Sequence, residues 1–120
     1  MSLQEVKKIE GIAPKHDDKW GYVYELNLSE KGRFFLEYIC KKSDNRIVSS
    51  IVINIFLKDE GITSELYSEM EAALRADYGL AEGSSTNLEW QESEQNLYIT
   101  LRVLDDKKSI SLNYVNIGGF

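Results

Sequence analysis

The sequence predicts an α+β fold, an antiparallel sheet of about six strands in β-β-β-α-β-β-β order with one main helix packed on one face. Three observations carry this. Apolar residues alternate with period two in six stretches, and one stretch switches to three- and four-residue spacing. Glycine, asparagine and aspartate clusters separate the stretches at hairpin intervals.

Taken in order, residues 1–19 read as a hydrophilic lead-in, where "QEVKKIE" (Gln4–Glu10) suits a helical turn or an edge strand. "YVYELNL" places Tyr22, Tyr24, Leu26 and Leu28 on one side and Val23, Glu25 and Asn27 on the other, as a strand requires. "SEKG" is a turn in which Gly32 suits the left-handed position of a bulged hairpin. "RFFLEYICKK" is the second strand and "SDN" (Ser43–Asn45) the next turn. "RIVSSIVINIFL" follows, and Ile47, Ile51, Ile53, Ile55 and Leu57 at its odd positions suit a central strand.

The period then changes. Leu66, Met70, Ala73, Leu74 and Asp77 or Tyr78 fall on one helical face. Thr63 suits the N-cap, Glu65 the first turn, and Ile62 with Tyr67 a hydrophobic staple. Gly79 stops the helix. Three more strands follow: "NLEWQE", "NLYITLRVL" and, beyond a turn at Asp105–Lys108, "SISLNYVNI". With no repeat, linker or low-complexity tract, residues 1–120 read as a single α+β domain.

Composition narrows the function classes. At 120 residues, 42% hydrophobic and 11% aromatic, the chain can bury one core. No run reaches the ~18 apolar residues that span a bilayer, which points to a soluble protein and no membrane contact. The lone Cys40 excludes an internal disulfide and CxxC metal sites. It favours a reducing, cytoplasmic compartment, although a disulfide-free periplasmic or secreted domain has the same signature and a removed signal peptide leaves no trace. A net charge of -6 with scattered basic residues repels phosphate backbones, so no nucleic acid is expected.

The chemistry-bearing groups do not converge. "PKHDDKWG" holds the only histidine beside Asp17 and Asp18, but a base needs an orienting partner and a metal needs three or four ligands. His16 has no second histidine to join it. Cys40 beside Lys41 and Lys42 reads as a buried small hydrophobe. Glu89, Glu92 and Glu94 around Trp90 read as a charged edge that discourages sheet aggregation. Tyr22, Tyr24, Tyr38, Tyr67, Tyr78, Tyr98 and Tyr114, with Trp20 and Trp90, suit both strands and interfaces. "GGF" at Gly118–Phe120 has no helix behind it and is no phosphate loop.

One physical mismatch remains. Six strands at ~4.8 Å spacing make a sheet ~25–30 Å wide, whereas a helix covers only ~10–12 Å. If Ile51, Ile53 and Ile55 face the helix, Val48, Val52 and Phe56 face away, joined by Phe35 and Ile39 of the preceding strand. An apolar surface of that kind meets something: its own curled sheet, a second copy, a foreign protein or an apolar ligand. The acidic α+β character resembles type III secretion chaperones and toxin-immunity proteins, although the helix that ends the chaperones has no counterpart here.

The expected function is therefore a non-catalytic interaction domain of a small acidic bacterial-type protein, with no cofactor and no metal. Its interaction face is Phe35, Ile39, Val52 and Phe56, and it binds a protein partner or forms a homodimer. The alternative is a small-molecule binder whose ligand lies in an apolar pocket between curled sheet and helix, oriented by tyrosine hydroxyls.

Overall fold

A computed structural model describes residues 1–18, 21–27, 30–40, 47–116 and 118–120, with Asp18 as backbone only. Leu28, Trp20, Lys41, Lys42 and the turn expected at Ser43–Asn45 lie outside the described residues. The element order is α1 (Leu3–Glu10), β1 (His16–Asp18), β2 (Gly21–Asn27), β3 (Gly32–Cys40), β4 (Val48–Leu57), α2 (Glu60–Tyr78), β5 (Glu82–Ser84), β6 (Asn87–Glu92), β7 (Leu97–Val103) and β8 (Ser109–Asn116), with a 3-10 turn at Ser93–Gln95.

Both helices owe their ends to local chemistry. The Ser2 hydroxyl accepts the Glu5 N–H to start α1, and Gly11 in the left-handed region closes it. Leu3 and Val6 of α1 are completely buried. In α2 the cap is Asp59, whose carboxylate accepts the Ile62 N–H at 2.8 Å, and the first-turn acid is Glu60. Thr63 is thus not the cap. It lies one turn inside, 1% exposed, with its hydroxyl donating to the Asp59 carbonyl. Ile62 and Tyr67 are both helical, so they form no staple across the helix start; both pack on the core. Gly79 does end the helix, at φ 85°, and its N–H bonds the Arg75 carbonyl.

The strands form one antiparallel sheet in the order β1-β2-β3-β4-β8-β7-β6-β5. This corrects the expected six strands in β-β-β-α-β-β-β order. Eight strands are present among the described residues, the order is α-β-β-β-β-α-β-β-β-β, and there are two helices. The six anticipated strands all form. The two missed are β1 and β5, three residues each at opposite edges, too short to show alternation. The chain is therefore two similar halves, each a helix followed by a four-strand meander. They join where β4 pairs with β8, from Ser50–Val115 to Phe56–Ser109.

Cross-strand partners share a face. The register aligns Tyr24, Leu36, Ile53, Leu112, Leu101 and Leu88 across the sheet on the side that carries both helices. Under α1 lie Tyr22, Tyr24, Tyr38, Cys40 and Val48. Under α2 lie Leu88, Trp90, Ile99, Leu101, Ile110 and Leu112. Phe120 packs against both groups, and its N–H bonds the Val48 carbonyl at 2.8 Å.

Two local expectations change. Val48 does not face away from the helices but is fully buried beneath α1. The register slips between Ile39 and Cys40, which pair with Ser50 and Val48 and leave Ser49 unpaired. That β-bulge returns Val48 to the inner side. Gly32 is not a left-handed turn residue. Its φ is 155°, and a Cβ there would sit 2.1 Å from the Phe56 carbonyl oxygen, so the position demands glycine for close strand approach.

Candidate interaction surface

With both helices on one side, no described element covers the other. Its rows follow from the register. One row runs Val23, Glu37, Val52, Asn113, Thr100, Glu89, and the next runs Glu25, Phe35, Asn54, Ser111, Arg102, Asn87. Ile39, Ser50, Val115 and Tyr98 align beyond the first row, and Arg33, Phe56 and Ser109 beyond the second. Phe35, Ile39, Val52 and Phe56 thus share this helix-free face, on adjacent strands β3 and β4. Phe56 is 42% exposed, and Phe35, Ile39 and Val52 are half-buried.

At one end of the face, charge and aromatic groups interlock. The Phe35 and Phe56 rings meet edge to face with centroids 5.7 Å apart. Lys15 Nζ and the Arg33 guanidinium each lie 5.5 Å from the Phe35 centroid. Glu25 holds both cations, accepting from Lys15 at one oxygen and from Arg33 at 3.2 Å at the other. The Lys15 bond, foremost, keeps the Glu25 carboxyl below its ordinary range. Cation–π contacts of this kind are worth ~0.5–1 kcal/mol where exposed. They shield Phe35 and leave Phe56 open.

The centre is different. Neither "VSSIVINIFL" of β4 nor "SISLNYVN" of β8 contains an aspartate, glutamate, lysine, arginine or histidine. Their outward side chains are Val52, Phe56 and Val115 among serines and asparagines, and Asn113 donates to the Ser111 hydroxyl at 3.2 Å. Charges flank this strip on both sides: Glu25, Arg33 and Glu37 towards β1, Arg102 and Glu89 towards β5. The acidic excess of the chain lies elsewhere. Residues 58–120 hold twelve acidic and five basic side chains, against eight and nine in 1–57, so the halves carry -7 and +1.

The remaining candidates separate in space. His16 pairs with Val23 on the helix-free face, whereas Asp17 pairs with Tyr22 and points to the helix side. There Asp17 binds Lys7 of α1 at 3.1 Å. Within what the sequence offers as a hydrophilic lead-in, His16–Asp18 is edge strand β1, and the alternation of a strand splits the histidine from its neighbour. Glu89 and Glu92 likewise face opposite sides, and Glu94 lies in the 3-10 turn. Among the described residues no three of His, Cys, Asp or Glu are placed to hold a metal ion. Cys40 is buried under α1.

The tyrosines divide by role. Tyr22, Tyr24 and Tyr38 fill the space under α1, and the Tyr38 hydroxyl donates to Glu10 at 2.5 Å. Burial first, then Glu10, pushes the Tyr38 phenol above its usual range. The Tyr24 and Tyr67 hydroxyls are buried with no hydrogen-bond partner among the described residues. Tyr98 stands on the helix-free face, its phenol raised chiefly by a hydrogen bond to Glu89. On the helix side a groove of about 520 Å³ runs past the start of α2, lined by Leu57, Ile62 and Leu66 with Lys31, Glu65 and Glu69 at its margins; no tyrosine lines it.

The sequence signal for Phe35, Ile39, Val52 and Phe56 was alternation. The Lys15–Glu25–Arg33 clamp carries no local signal, because residues 10 and 8 apart meet only once β1 pairs with β2 and β2 with β3. No helix among the described residues is long and apolar enough to cross a membrane. Comparison with protein-family models, curated proteins and solved structures finds no match to this chain, and so lends no support to the likeness to secretion chaperones or immunity proteins.

Proposed function

We propose that this chain is a non-catalytic interaction domain that engages a protein surface through the helix-free face of its sheet. The observation that supports the reading is the charge-free strip of β4 and β8, with Val52, Val115 and the exposed Phe56 along it, charges on its flanks and the Asp106 carboxylate at one end, bonded to the Ser109 hydroxyl. Protein interfaces have that anatomy: a core depleted of charge inside a polar rim. An antiparallel sheet that meets only water more often alternates apolar inside with polar outside. The divergence of His16, Asp17 and the three glutamates argues for binding rather than catalysis, since acid–base chemistry needs groups within reach of one proton.

The test is comparative capture from a cell extract, with every bound polypeptide quantified, including further copies of the chain. The variants are Val52→Lys on the open face and Leu80→Lys as a control, Leu80 being 87% exposed after α2. A polypeptide retained in near-equal molar amount by the parent and Leu80→Lys, and released by Val52→Lys, supports the reading. Equal retention by all three, or none by any, overturns it.

A further inference from the structure

We infer that the occupant of the helix-free face is a second copy of this chain, packed sheet against sheet about a two-fold axis that runs along the strands between β4 and β8. The inference rests on the interaction reading above and names its partner.

Four features on this face point to self-association. The first is size. The molecule measures 41 × 37 × 22 Å, so its broad face presents on the order of 1,500 Å², well above the ~800 Å² per partner of a standard interface. The second is the rim, which carries both signs on the same surface, Arg33 and Arg102 with Glu37 and Glu89. A copy that must match itself needs that, whereas a strongly basic partner would call for an acidic rim.

The third is the charge difference between the halves. A two-fold axis across the strands would stack each -7 half on its own image. An axis along them lays every -7 half over a +1 half, twice per dimer. Net electrostatics therefore selects the second arrangement.

The fourth is the fit of the rows. That axis exchanges β4 with β8 and β3 with β7 at the same level. Phe56 then meets Ser109, whose hydroxyl is held by Asp106, Val115 meets Ser50 and Ile39 meets Tyr98, so bulky residues fall opposite small or aromatic ones, as interdigitating sheets require. Arg102 meets Phe35, with Glu37 one row to one side and Arg33 one row to the other. The like charges that come within a row of each other, Arg102 with Arg33 and Glu89 with Glu25, do so where Arg33 and Glu25 already neutralise one another within each copy.

Sedimentation velocity of the purified chain over a wide concentration range tests this. The parent should reversibly form a dimer. Val52→Lys and, as an independent variant, Asn54→Lys should each weaken it at least about tenfold while keeping the parent's far-ultraviolet spectrum. Glu37→Arg or Arg102→Glu alone should weaken the dimer, and the two together should recover it, because the swap restores the attraction across the interface. A chain that stays monomeric at all concentrations overturns the inference, as does a dimer indifferent to both lysine variants, or a charge swap without recovery. If the chain is monomeric while Val52→Lys still releases a foreign polypeptide from the capture experiment, this inference fails and the interaction reading stands.

Discussion

The half built on α1 and the half built on α2 follow one plan with different chemistry. α1 has eight residues, ~12 Å of helix, and brings only Leu3 and Val6 to full burial. Tyrosines supply the missing volume: Tyr22, Tyr24 and Tyr38 rise from the sheet, and at the helix edge Glu10 meets the polar tip of Tyr38. α2 has nineteen residues, ~28 Å, and closes over aliphatic side chains, with Ile99 and Leu101 at 0% exposure. A short cover thus trades apolar area for hydroxyls that need partners. The first half should accordingly respond to pH and charge, the second to volume.

That contrast can be broken or sharpened experimentally. The largest effect is expected in the second half: Leu101→Ala should cost ~2–5 kcal/mol by removing buried methyl groups from a site that cannot collapse. Urea denaturation followed by circular dichroism measures it. Because β4 and β8 pair along seven positions, a single transition is expected; two separated transitions would make the halves independent and end the comparison.

Next comes Tyr38→Phe, which leaves Glu10 without its donor and should cost ~1–2 kcal/mol by the same measurement. Tyr24→Phe and Tyr67→Phe remove hydroxyls that have no partner among the described residues, so each should be neutral or mildly stabilising. A Tyr24→Phe loss as large as that of Tyr38→Phe would show that the hydroxyl is satisfied.

Alkaline pH gives a smaller, graded effect. Burial raises the phenols of Tyr38, Tyr24, Tyr67 and Tyr114 above the ordinary value of 10.0. In the unfolded chain they ionise near 10.0 while the folded chain keeps its protons. Stability is therefore intact below pH 10 and falls as pH rises above it. Tyr38→Phe should flatten this decline more than Tyr67→Phe, placing the sensitivity in the first half. Equal flattening would erase the distinction.

The smallest effect lies on the acid side. Lys15 and Arg33 lower the Glu25 carboxyl, so its contribution is present above its ordinary 4.5 and lost as pH falls through the lowered value. Glu25→Gln should remove that shallow acid-side slope and leave the midpoint at neutral pH nearly unchanged. The pair is exposed, and solvent screening keeps such contributions small.

How much could be read beforehand depended on length and locality. β6 was legible to the residue because Leu88 and Trp90 alternate with charged and polar neighbours inside one stretch. "HDD" and "EGS" were not, because three residues cannot display a period and their pairing with β2 and β6 is a tertiary event. α1 was legible only as a helical turn, since Leu3 and Val6 give two apolar points. The grouping of Phe35, Ile39, Val52 and Phe56 on one face followed from alternation alone. The wrong placement of Val48 followed from it too, because a bulge has no local signature in "IVSSIV". The charge-free strip lay open in the sequence of β4 and β8, but its meaning appears only when partners 53 to 65 positions apart, from Phe56↔Ser109 outward to Ser50↔Val115, are known to be neighbours.

Ser49 has a consequence for how this chain tolerates change. It is the one supernumerary residue between the partners of Ile39 and Cys40, so a chain lacking it would zip into an uninterrupted ladder with Val48 still tucked beneath the amino-terminal helix. Shortening should be gentler here than lengthening: excising one residue restores ordinary parity with Val48 in place, whereas adding one alongside restores parity only by carrying Val48 two residues, about 7 Å, along the strand, leaving Leu3 and Val6 with a hollow below them. What was lost on excision would be the extra twist that lets so brief a helix lie across three strands.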